Sequence, residues 1–261
     1  GGPNFRHCVA VAFQRTLQRR HPTPRNLSMT SNRTLLALSL GLGGCIGPPI
    51  ALTPQTEQAL QASPPIRFLL TFDDGPVSGT SKILDVLAKN NAKATFFVVG
   101  YQVKKHPKVL LRASSEGHEI GNHTLSHKWL TRLSSEAIRH QLAANRDRIA
   151  KVTGKAPTLI RPPYGAYNSR VKKLSKLPLV LWTVDPLDWK THSTSATVRR
   201  VLNSARRNSV VLMHDIHPST QRAVPTIVRK LIERGYRLVT VSQLRGGNLT
   251  PGRLYYPLYK N

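Results

Sequence analysis

The 261-residue chain has only two cysteines, Cys8 and Cys45, and both precede the segment that is patterned like a folded core. A scaffold held together by disulfides, or a zinc site with cysteine ligands, needs cysteines inside the folded region. Both classes are therefore excluded. Glycine-rich phosphate-binding loops are missing too, since no GxGxxG or GxxxxGK[ST] pattern follows an apolar run.

Acidic residues are scarce as well. The chain has 12 Asp and Glu against 39 Lys and Arg, which gives a formal net charge of +27 at pH 7. Such a surface favours a polyanionic partner, for which cell-wall polymer, nucleic acid and anionic membrane are the candidates. Because 39% of the residues are hydrophobic, the chain can still build a packed core, and wholesale disorder is excluded.

Only one segment is long and apolar enough to be considered for a membrane span, which excludes a multi-pass membrane protein. Met29–Arg33 is a short polar lead with one positive charge, Thr34–Gly44 is apolar, and Cys45 follows. This order is typical of an export signal over residues 29–45. Leu42–Cys45 resembles a bacterial lipobox, in which Cys45 becomes the lipid-anchored first residue of the mature protein.

Two other interpretations of this segment stay open. One is an ordinary cleaved signal with an incidental cysteine. The other is an uncleaved anchor, because the run without charge extends from Thr34 to Thr56, although Pro48 and Pro49 argue against a regular helix across it. We expect an exported protein of the cell envelope, either secreted or anchored as a lipoprotein.

The remaining chain divides by composition. Residues 1–28 contain five Arg and no acid, and they predict a disordered basic arm or an upstream extension from a misassigned start. Residues 46–65 are rich in Gln, Pro, Thr and Ser and predict a linker. We expect one folded domain over residues 66–245 and a C-terminal tail over residues 246–261.

Within the expected domain, short apolar runs alternate with amphipathic stretches. This alternation predicts parallel β/α units, and seven units in about 190 residues favour an α/β fold with a small β/α barrel over an open sheet. The predicted strands are Ile66–Phe72, Ala94–Val99, His118–Asn122, Thr158–Arg161, Leu179–Val184, Val210–His214 and Arg237–Val241. The predicted helices are Ser81–Asn90, Pro107–Ser115, Ser135–Thr153, Ser169–Ser175, Ala196–Ala205 and Val224–Arg234.

The side chains that perform chemistry in such barrels collect at the carboxyl ends of the strands. Polar residues of this chain fall at these positions, and so many carboxylates in so basic a protein are hard to assign to solubility. We interpret the strand ends as a candidate active site. Its residues are Asp73, Asp74, His123, His127, Arg161, Asp185, Asp188 and His214.

His123 and His127 are spaced i, i+4, so that on a helical turn both rings would face the same way and could share a metal ion. The pair alone is a weak signal, because at this histidine content about 0.4 such pairs occur by chance. Surface or capping histidines would look the same. Asp74 supplies a third ligand from a neighbouring strand. Two imidazoles and one carboxylate leave a position open for water; they suit Zn²⁺ best, with iron, cobalt or nickel as alternatives.

Asp73 and Asp74 lie in the sequence DDGP, which is good turn chemistry in its own right. With a dication and Arg161 nearby both carboxylates would stay charged, so that one could bind the metal and the other take a proton from the attacking water. The stretch RPPYG that starts at Arg161 is stiffened by two prolines and permits a tight bend at Gly165. A rigid backbone is what an oxyanion-binding N–H requires, although a plain proline-rich loop is the alternative.

His214 ends an apolar predicted strand, where a buried histidine is more often structural than catalytic. Asp188 could orient its ring and raise its pKa, which would suit a general acid. Trp189 and Leu212 could wall an apolar pocket, or could simply belong to the core.

Together these stretches resemble the polysaccharide deacetylases, the NodB-homology family of carbohydrate esterases (family four). The resemblance covers roughly Ile66–Leu244, and its motifs occur in the family's order. No position that the family uses for chemistry is substituted, so the resemblance implies an active enzyme with a distorted (β/α)7 barrel. The motifs are TFDDGP (Thr71–Pro76), HTLSH (His123–His127), RPPYG (Arg161–Gly165), DPLDW (Asp185–Trp189) and LMHD (Leu212–Asp215).

The resemblance implies roles on the metal side of the site. Asp74, His123 and His127 would be the ligands of a divalent metal. Asp73 would be the general base, held by Arg161. The implied reaction is metal-assisted hydrolysis of an N-acetyl group on an amino sugar.

The resemblance also implies roles on the leaving-group side. Tyr164 would offer its backbone N–H to the oxyanion and contact the substrate. His214 would protonate the leaving amine, tuned by Asp188. Leu212 and Trp189 would enclose the acetyl methyl group.

An exported, strongly basic enzyme of this family fits peptidoglycan or another acetylated envelope glycan, with an anionic cell-wall polymer as a second partner. Chitin oligosaccharides and acetylated xylan, which requires O-deacetylation, are the family alternatives.

A non-catalytic polyanion- or glycan-binding protein is the alternative from another class, motivated by basic pairs such as Lys104–Lys105 and Lys172–Lys173. Nucleic-acid binding predicts a continuous basic stripe, often with stacking aromatics. Aromatics make up only 6% of the chain, and the basic pairs fall mostly on predicted helices. We interpret these pairs as solvated helix faces and expect no nucleic-acid partner.

Overall fold

The computed structural model describes residues 66–256; the predicted export signal, lipid anchor, linker and N-terminal arm lie outside them. The strands of this part are β1 (Ile66–Asp73), β2 (Thr95–Val98), β3 (Glu119–Asn122), β4 (Leu179–Val180), β5 (Val210–His214), β6 (Tyr236–Leu238) and β7 (Leu254–Tyr255). Its α-helices are α1 (Thr80–Lys89), α2 (Gly100–Lys105), α3 (Pro107–Ser115), α4 (Ser135–Thr153), α5 (Ser169–Ser175), α6 (Asp188–Thr191), α7 (Thr194–Ser204), α8 (Pro218–Glu233) and α9 (Val241–Arg245). Over these residues no helix is both long and apolar enough to cross a membrane.

β1 is the central strand of the sheet. It pairs with β2, β5 and β6, and β2 pairs in turn with β3, always in parallel. Single parallel bridges continue the order, because Ile160 pairs with both Asn122 and Leu179, and Val184 pairs with Val211. The parallel segments thus follow one another around a ring, and the predicted α/β fold of the distorted (β/α)7 type is confirmed.

The alternation of side chains along β1 decides which residues face the inside of the ring. Phe68 and Phe72 pack in the main apolar cluster, together with residues of α1 and α8. Leu69 belongs instead to a second cluster that contains Phe97. Successive residues of a strand point to opposite faces, so Asp73 shares the inner face with Leu69. The strand pattern therefore places a carboxylate at the inner, carboxyl-terminal end of the central strand.

The long helix α4 braces the loop that follows β3. Its first turn is capped by Ser134, whose Oγ accepts a hydrogen bond from the backbone N–H of Ala137 at 3.2 Å; loss of such a cap costs about 1 kcal/mol. On its inner face, Gln141 Oε1 accepts a hydrogen bond from the backbone N–H of Ser126 at 3.0 Å. Asn145 Nδ2 donates to Asn122 Oδ1 at 2.8 Å. These bonds fix both ends of the loop that carries the HTLSH motif.

Several predicted boundaries differ from the structure. The predicted strand Thr158–Arg161 is reduced to the single residue Ile160, which forms two isolated bridges, because Pro162 and Pro163 follow it at once and have no N–H to extend a ladder. Helix α8 begins at Pro218, six residues before the predicted start at Val224. Proline is well suited to the first turn of a helix. The residues that follow it are polar, so the apolar pattern did not indicate this start.

The chain beyond residue 245 contributes to the fold. β7 pairs in parallel with β4, with Leu179 opposite Leu254 and Val180 opposite Tyr255. Tyr255 is buried in the same apolar cluster as Val180. The predicted C-terminal tail therefore packs against the ring at least as far as this strand.

Candidate active site

A cavity of about 500 Å³ opens where the strands end. Nine of the eleven residues selected from the sequence line it, and the other two, Arg161 and Asp188, are buried beside it. The lining residues are Asp73, Asp74, His123, His127, Tyr164, Trp182, Asp185, Trp189, Leu212, His214, Ile216 and His217.

Asp73 is almost completely buried and is paired with Arg161, whose Nη1 lies 2.8 Å from Asp73 Oδ1. The guanidinium also donates to Thr71 Oγ1 at 2.8 Å and to the carbonyl oxygens of Val180 and Leu181 at 3.0 and 2.7 Å. Burial lowers the pKa of Arg161, and the charge of Asp73 opposes that shift. A buried charge is tolerated only when it is paired and hydrogen-bonded, and this network meets both conditions.

Asp74 turns away from the strand in a left-handed backbone conformation, with φ 73°. Its Oδ1 atom lies 3.4 Å from His123 Nε2 and 3.2 Å from His127 Nε2. One ligand atom from each of the three residues lies within 4.8 Å of the others. Asp74 Oδ1 is buried and accepts no hydrogen bond from the described residues.

The two histidines converge through a turn and not through the helical turn predicted from their spacing. His127 has φ 55° and Thr124 has φ 68°, both left-handed. Nδ1 of His123 lies 2.6 Å from the carbonyl oxygen of Arg161, and because a carbonyl accepts, Nδ1 carries the hydrogen. Its Nε2 is therefore left free to face Asp74, which is how protein metal sites commonly orient an imidazole ligand.

The electrostatics of this group favour bound positive charge. Burial raises the pKa of Asp74, but the adjacent His123 and His127 outweigh it and hold that pKa far below its ordinary value. Burial lowers the pKa of His123, and Asp73 with Asp74 overcomes this and raises it. The pKa of His127 is lowered by burial and by His123. An ionised carboxylate with an unpaired buried oxygen, facing two imidazole nitrogens, fits a divalent cation.

On the other side of the cavity, Asp188 holds His214. Nδ1 of His214 lies 2.9 Å from Asp188 Oδ1, and the backbone N–H of His214 donates to Asp188 Oδ2 at 2.8 Å. Thr220 Oγ1 donates to the same Oδ2 at 2.7 Å. Burial lowers the pKa of His214, but the bond to Asp188 and its charge prevail and raise it to about 9. This imidazole is protonated at neutral pH and can donate a proton into the cavity.

Tyr164, Trp189 and Leu212 form the rest of the wall. Tyr164 has φ 61° and ψ 12° inside the turn Pro163–Gly165, and its backbone N–H donates to no protein atom of the described range. Leu212 is buried while Trp189 is 47% exposed. The result is an apolar surface beside the charged groups, next to a free backbone donor.

Comparison with known proteins assigns this arrangement to a family. Residues 61–181 match the family model for polysaccharide deacetylase. The peptidoglycan-N-acetylmuramic acid deacetylase PdaC of Bacillus subtilis (strain 168) is 46% identical over 176 residues, which cover 67% of this chain and 38% of that protein. A solved structure of PdaC superposes with a TM-score of 0.69 at 44% identity, and covers 70% of this chain and 91% of that one. The chain belongs to the polysaccharide deacetylase family.

Two further members of the polysaccharide deacetylase family are similar to this chain. The peptidoglycan-N-acetylglucosamine deacetylase PgdA of Listeria monocytogenes serotype 1/2a (strain 10403S) is 40% identical over 191 residues, 73% of this chain and 41% of that protein. A structure described as T48 deacetylase with substrate has a TM-score of 0.71 and 47% identity, and covers 73% of this chain and 96% of that one. The chain spans about two fifths of the length of PdaC and PgdA.

Some residues of this deacetylase-family site are not evident from the sequence. Thr220 holds Asp188 from the first turn of α8, which the late predicted start of that helix concealed. His217 lines the cavity, and its only signal is its position three residues after His214. Asp215 is evident from the sequence as the last residue of the LMHD motif, but its contact is not: its carboxylate packs against Gly75 so closely that no Cβ would fit there. Burial raises the pKa of Asp215 to about 7.

Proposed function

We propose that this chain is a metal-dependent hydrolase that removes N-acetyl groups from amino-sugar polymers of the cell envelope and releases acetate. The observation that carries the proposal is the pair of opposed groups in one cavity. Asp74 with two imidazoles fits a cation, and His214 facing them across the cavity carries a proton. Hydrolysis of an amide needs an activated nucleophile on one side and a proton for the leaving amine on the other.

Asp74, His123 and His127 would hold the divalent metal. Two imidazoles and one carboxylate with room for further ligands match hydrolytic zinc sites, so we propose Zn²⁺ as the resident ion. A zinc ion there would polarise the amide carbonyl and lower the pKa of a bound water toward about 7.

The protein's own residues supply the proton transfers and the geometry. Asp73 is the general base that takes the proton of the attacking water, and the ion pair with Arg161 fixes this carboxylate in position. The backbone N–H of Tyr164 donates to the oxygen that becomes negatively charged. The amine leaves after His214 has protonated its nitrogen, and Asp188 maintains the required ring orientation.

Substrate placement follows from the cavity wall. Leu212 and Trp189 form the apolar surface that would receive the acetyl methyl group. We propose peptidoglycan as the polymer, because PdaC and PgdA are named for its N-acetylmuramic acid and N-acetylglucosamine units. An exported protein of charge +27 would also be drawn to an anionic wall polymer, an attraction that salt weakens. Lipidation at Cys45 would hold it at the membrane surface.

Acetate release from peptidoglycan, N-acetylglucosamine oligomers and acetylated xylan tests this assignment. We expect turnover on the first two and little on xylan. Asp73→Asn should lower kcat about 10³-fold while zinc content, measured by elemental analysis, stays at the wild-type level. Asp147→Asn, which changes an exposed acid paired with Arg146, is the matched control. Turnover of Asp73→Asn at the wild-type rate would refute the base assignment; polyanion binding without acetate release would favour a binding protein.

A further inference from the structure

Trp129 lies two residues after His127 and is absent from the cavity lining. Its indole stacks on the ring of Tyr164, with centroids 4.2 Å apart and planes 11° apart. The guanidinium of Arg132 lies 4.9 Å from the indole centre. Tyr164 in turn meets His127 edge to face, at 4.7 Å between centroids. These side chains form a column that starts at the surface and ends at a residue of the candidate metal site.

Tyr164 needs an external support. Its φ of 61° is in the left-handed region, which costs a residue with a Cβ roughly 1 kcal/mol or more and persists only where the surroundings impose it. Its side chain is not held by burial, since the residue is 53% exposed. Among the described residues, Trp129 is the aromatic residue whose ring stacks in parallel on the Tyr164 ring.

The support itself is firmly attached. Leu130, the residue after Trp129, is completely buried and packs in a cluster with Ile138 of α4. Arg170 Nη2 donates to the carbonyl oxygen of Leu133 at 2.7 Å. A tryptophan anchored on one side and stacked on the other can transmit this rigidity to its partner, because aromatic pairs contribute about 0.5–1.5 kcal/mol beyond burial.

We propose that Trp129 is a positioning residue, whose ring stack holds the left-handed turn at Tyr164 so that the Tyr164 N–H stays where the oxyanion forms. The inference rests on the proposed function for its catalytic consequence. The claim that the stack holds the turn does not depend on that function. The backbone amides of Gly165 and Ala166 donate to the carbonyl oxygens of Pro162 and Pro163 at 3.0 and 3.1 Å, so that their hydrogen exchange reports on the turn directly.

The test compares Trp129→Ala with Trp129→Phe and with Leu111→Ala, a control that truncates another exposed apolar residue, on α3. We expect Trp129→Ala to lower kcat about 10- to 100-fold with KM within about twofold of wild type, since a displaced donor is lost mainly in the transition state. Zinc content should not change. Amide hydrogen exchange at Gly165 and Ala166 should become faster. Trp129→Phe should restore most of both properties, and Leu111→Ala should alter neither.

Unchanged exchange in Trp129→Ala would overturn the proposal, and so would faster exchange with an unchanged kcat. A fall in zinc content that accounts for the whole fall in activity would overturn it as well, because the stacked rings would then act through His127. If the wild-type protein released no acetate from any glycan, the proposed function would fall, while the exchange measurement would still decide whether the stack holds the turn.

Discussion

Two carboxylate–imidazole arrangements face each other in the cavity, and they differ in how completely the carboxylate is satisfied. Asp188 accepts hydrogen bonds from His214, Thr220 and the backbone N–H of Trp189. Asp74 Oδ1 accepts none from the described residues, although two imidazole nitrogens lie 3.2 and 3.4 Å from it. Asp188, whose oxygens all accept hydrogen bonds, orients one histidine and keeps it protonated. Asp74, with an oxygen that accepts no hydrogen bond within this part of the chain and lies between two histidines, is suited to bind a cation.

The pKa shifts separate His214 from His127, but not from His123, whose pKa is raised by Asp73 and Asp74 against the effect of burial. His214 has its pKa raised to about 9, whereas the pKa of His127 is lowered by burial and by its neighbour His123. Histidines of one cavity are therefore prepared differently, His214 as a proton donor and His127 as a neutral imidazole. Environment, not residue identity, assigns the roles.

Removing a proposed metal ligand should have the largest effect on zinc binding and activity. We expect His123→Ala to lose bound zinc and to lower kcat/KM by about 10³-fold or more, because Asp74 and His127 alone make an incomplete site. Elemental analysis and acetate release measure the two effects. His140→Ala, at an exposed histidine of α4, is the control. Zinc retained at one ion per chain in His123→Ala would show that this imidazole is not a ligand.

Removing the proposed proton donor should lower the rate of catalysis without affecting zinc binding. His214→Ala should lower kcat by about 10²- to 10⁴-fold, because the amine is a poor leaving group without a proton. Zinc affinity should stay near the wild-type value, since the histidine lies outside the Asp74 group. Calorimetric zinc titration beside steady-state kinetics measures both quantities. A large loss of zinc affinity would place His214 among the ligands and remove the division of roles.

Altering the orienting carboxylate should have a smaller effect that depends on pH. The proposed general acid is the protonated form of His214, so activity should be full below its pKa of about 9 and fall as the pH rises through that value. Asp188→Asn removes the main cause of the raised pKa, and burial then lowers it. We expect the alkaline limb of kcat/KM to move to lower pH, with about a 10-fold loss at neutral pH. An alkaline limb that does not move would contradict the pairing.

The sequence predicted the parallel order of the strands and the residues at their ends, because both follow from short-range patterns. Asp73 and Asp74 close an apolar run, and His214 closes another, so their meeting in space is a consequence of barrel topology. The left-handed backbone at Asp74, His127 and Tyr164 could not be predicted. Such conformations are imposed by tertiary contacts and are unfavourable for these residue types in isolation.

Long-range support was hidden for the same reason. Thr220 reaches Asp188 only because α8 begins at Pro218. Trp129 reaches Tyr164 only because two loops far apart in the chain are brought together. Neither contact has a sequence spacing that identifies it, and both depend on packing that a periodic pattern does not encode.

Histidine ring nitrogen chemical shifts in the zinc-loaded protein at neutral pH would distinguish a protonated imidazole from a metal-bound one at each position. We expect His214 to show both ring nitrogens protonated, and His123 and His127 to be neutral and to bind zinc through Nε2. A neutral His214, or zinc-shifted resonances on His214 in place of His123 and His127, would contradict it.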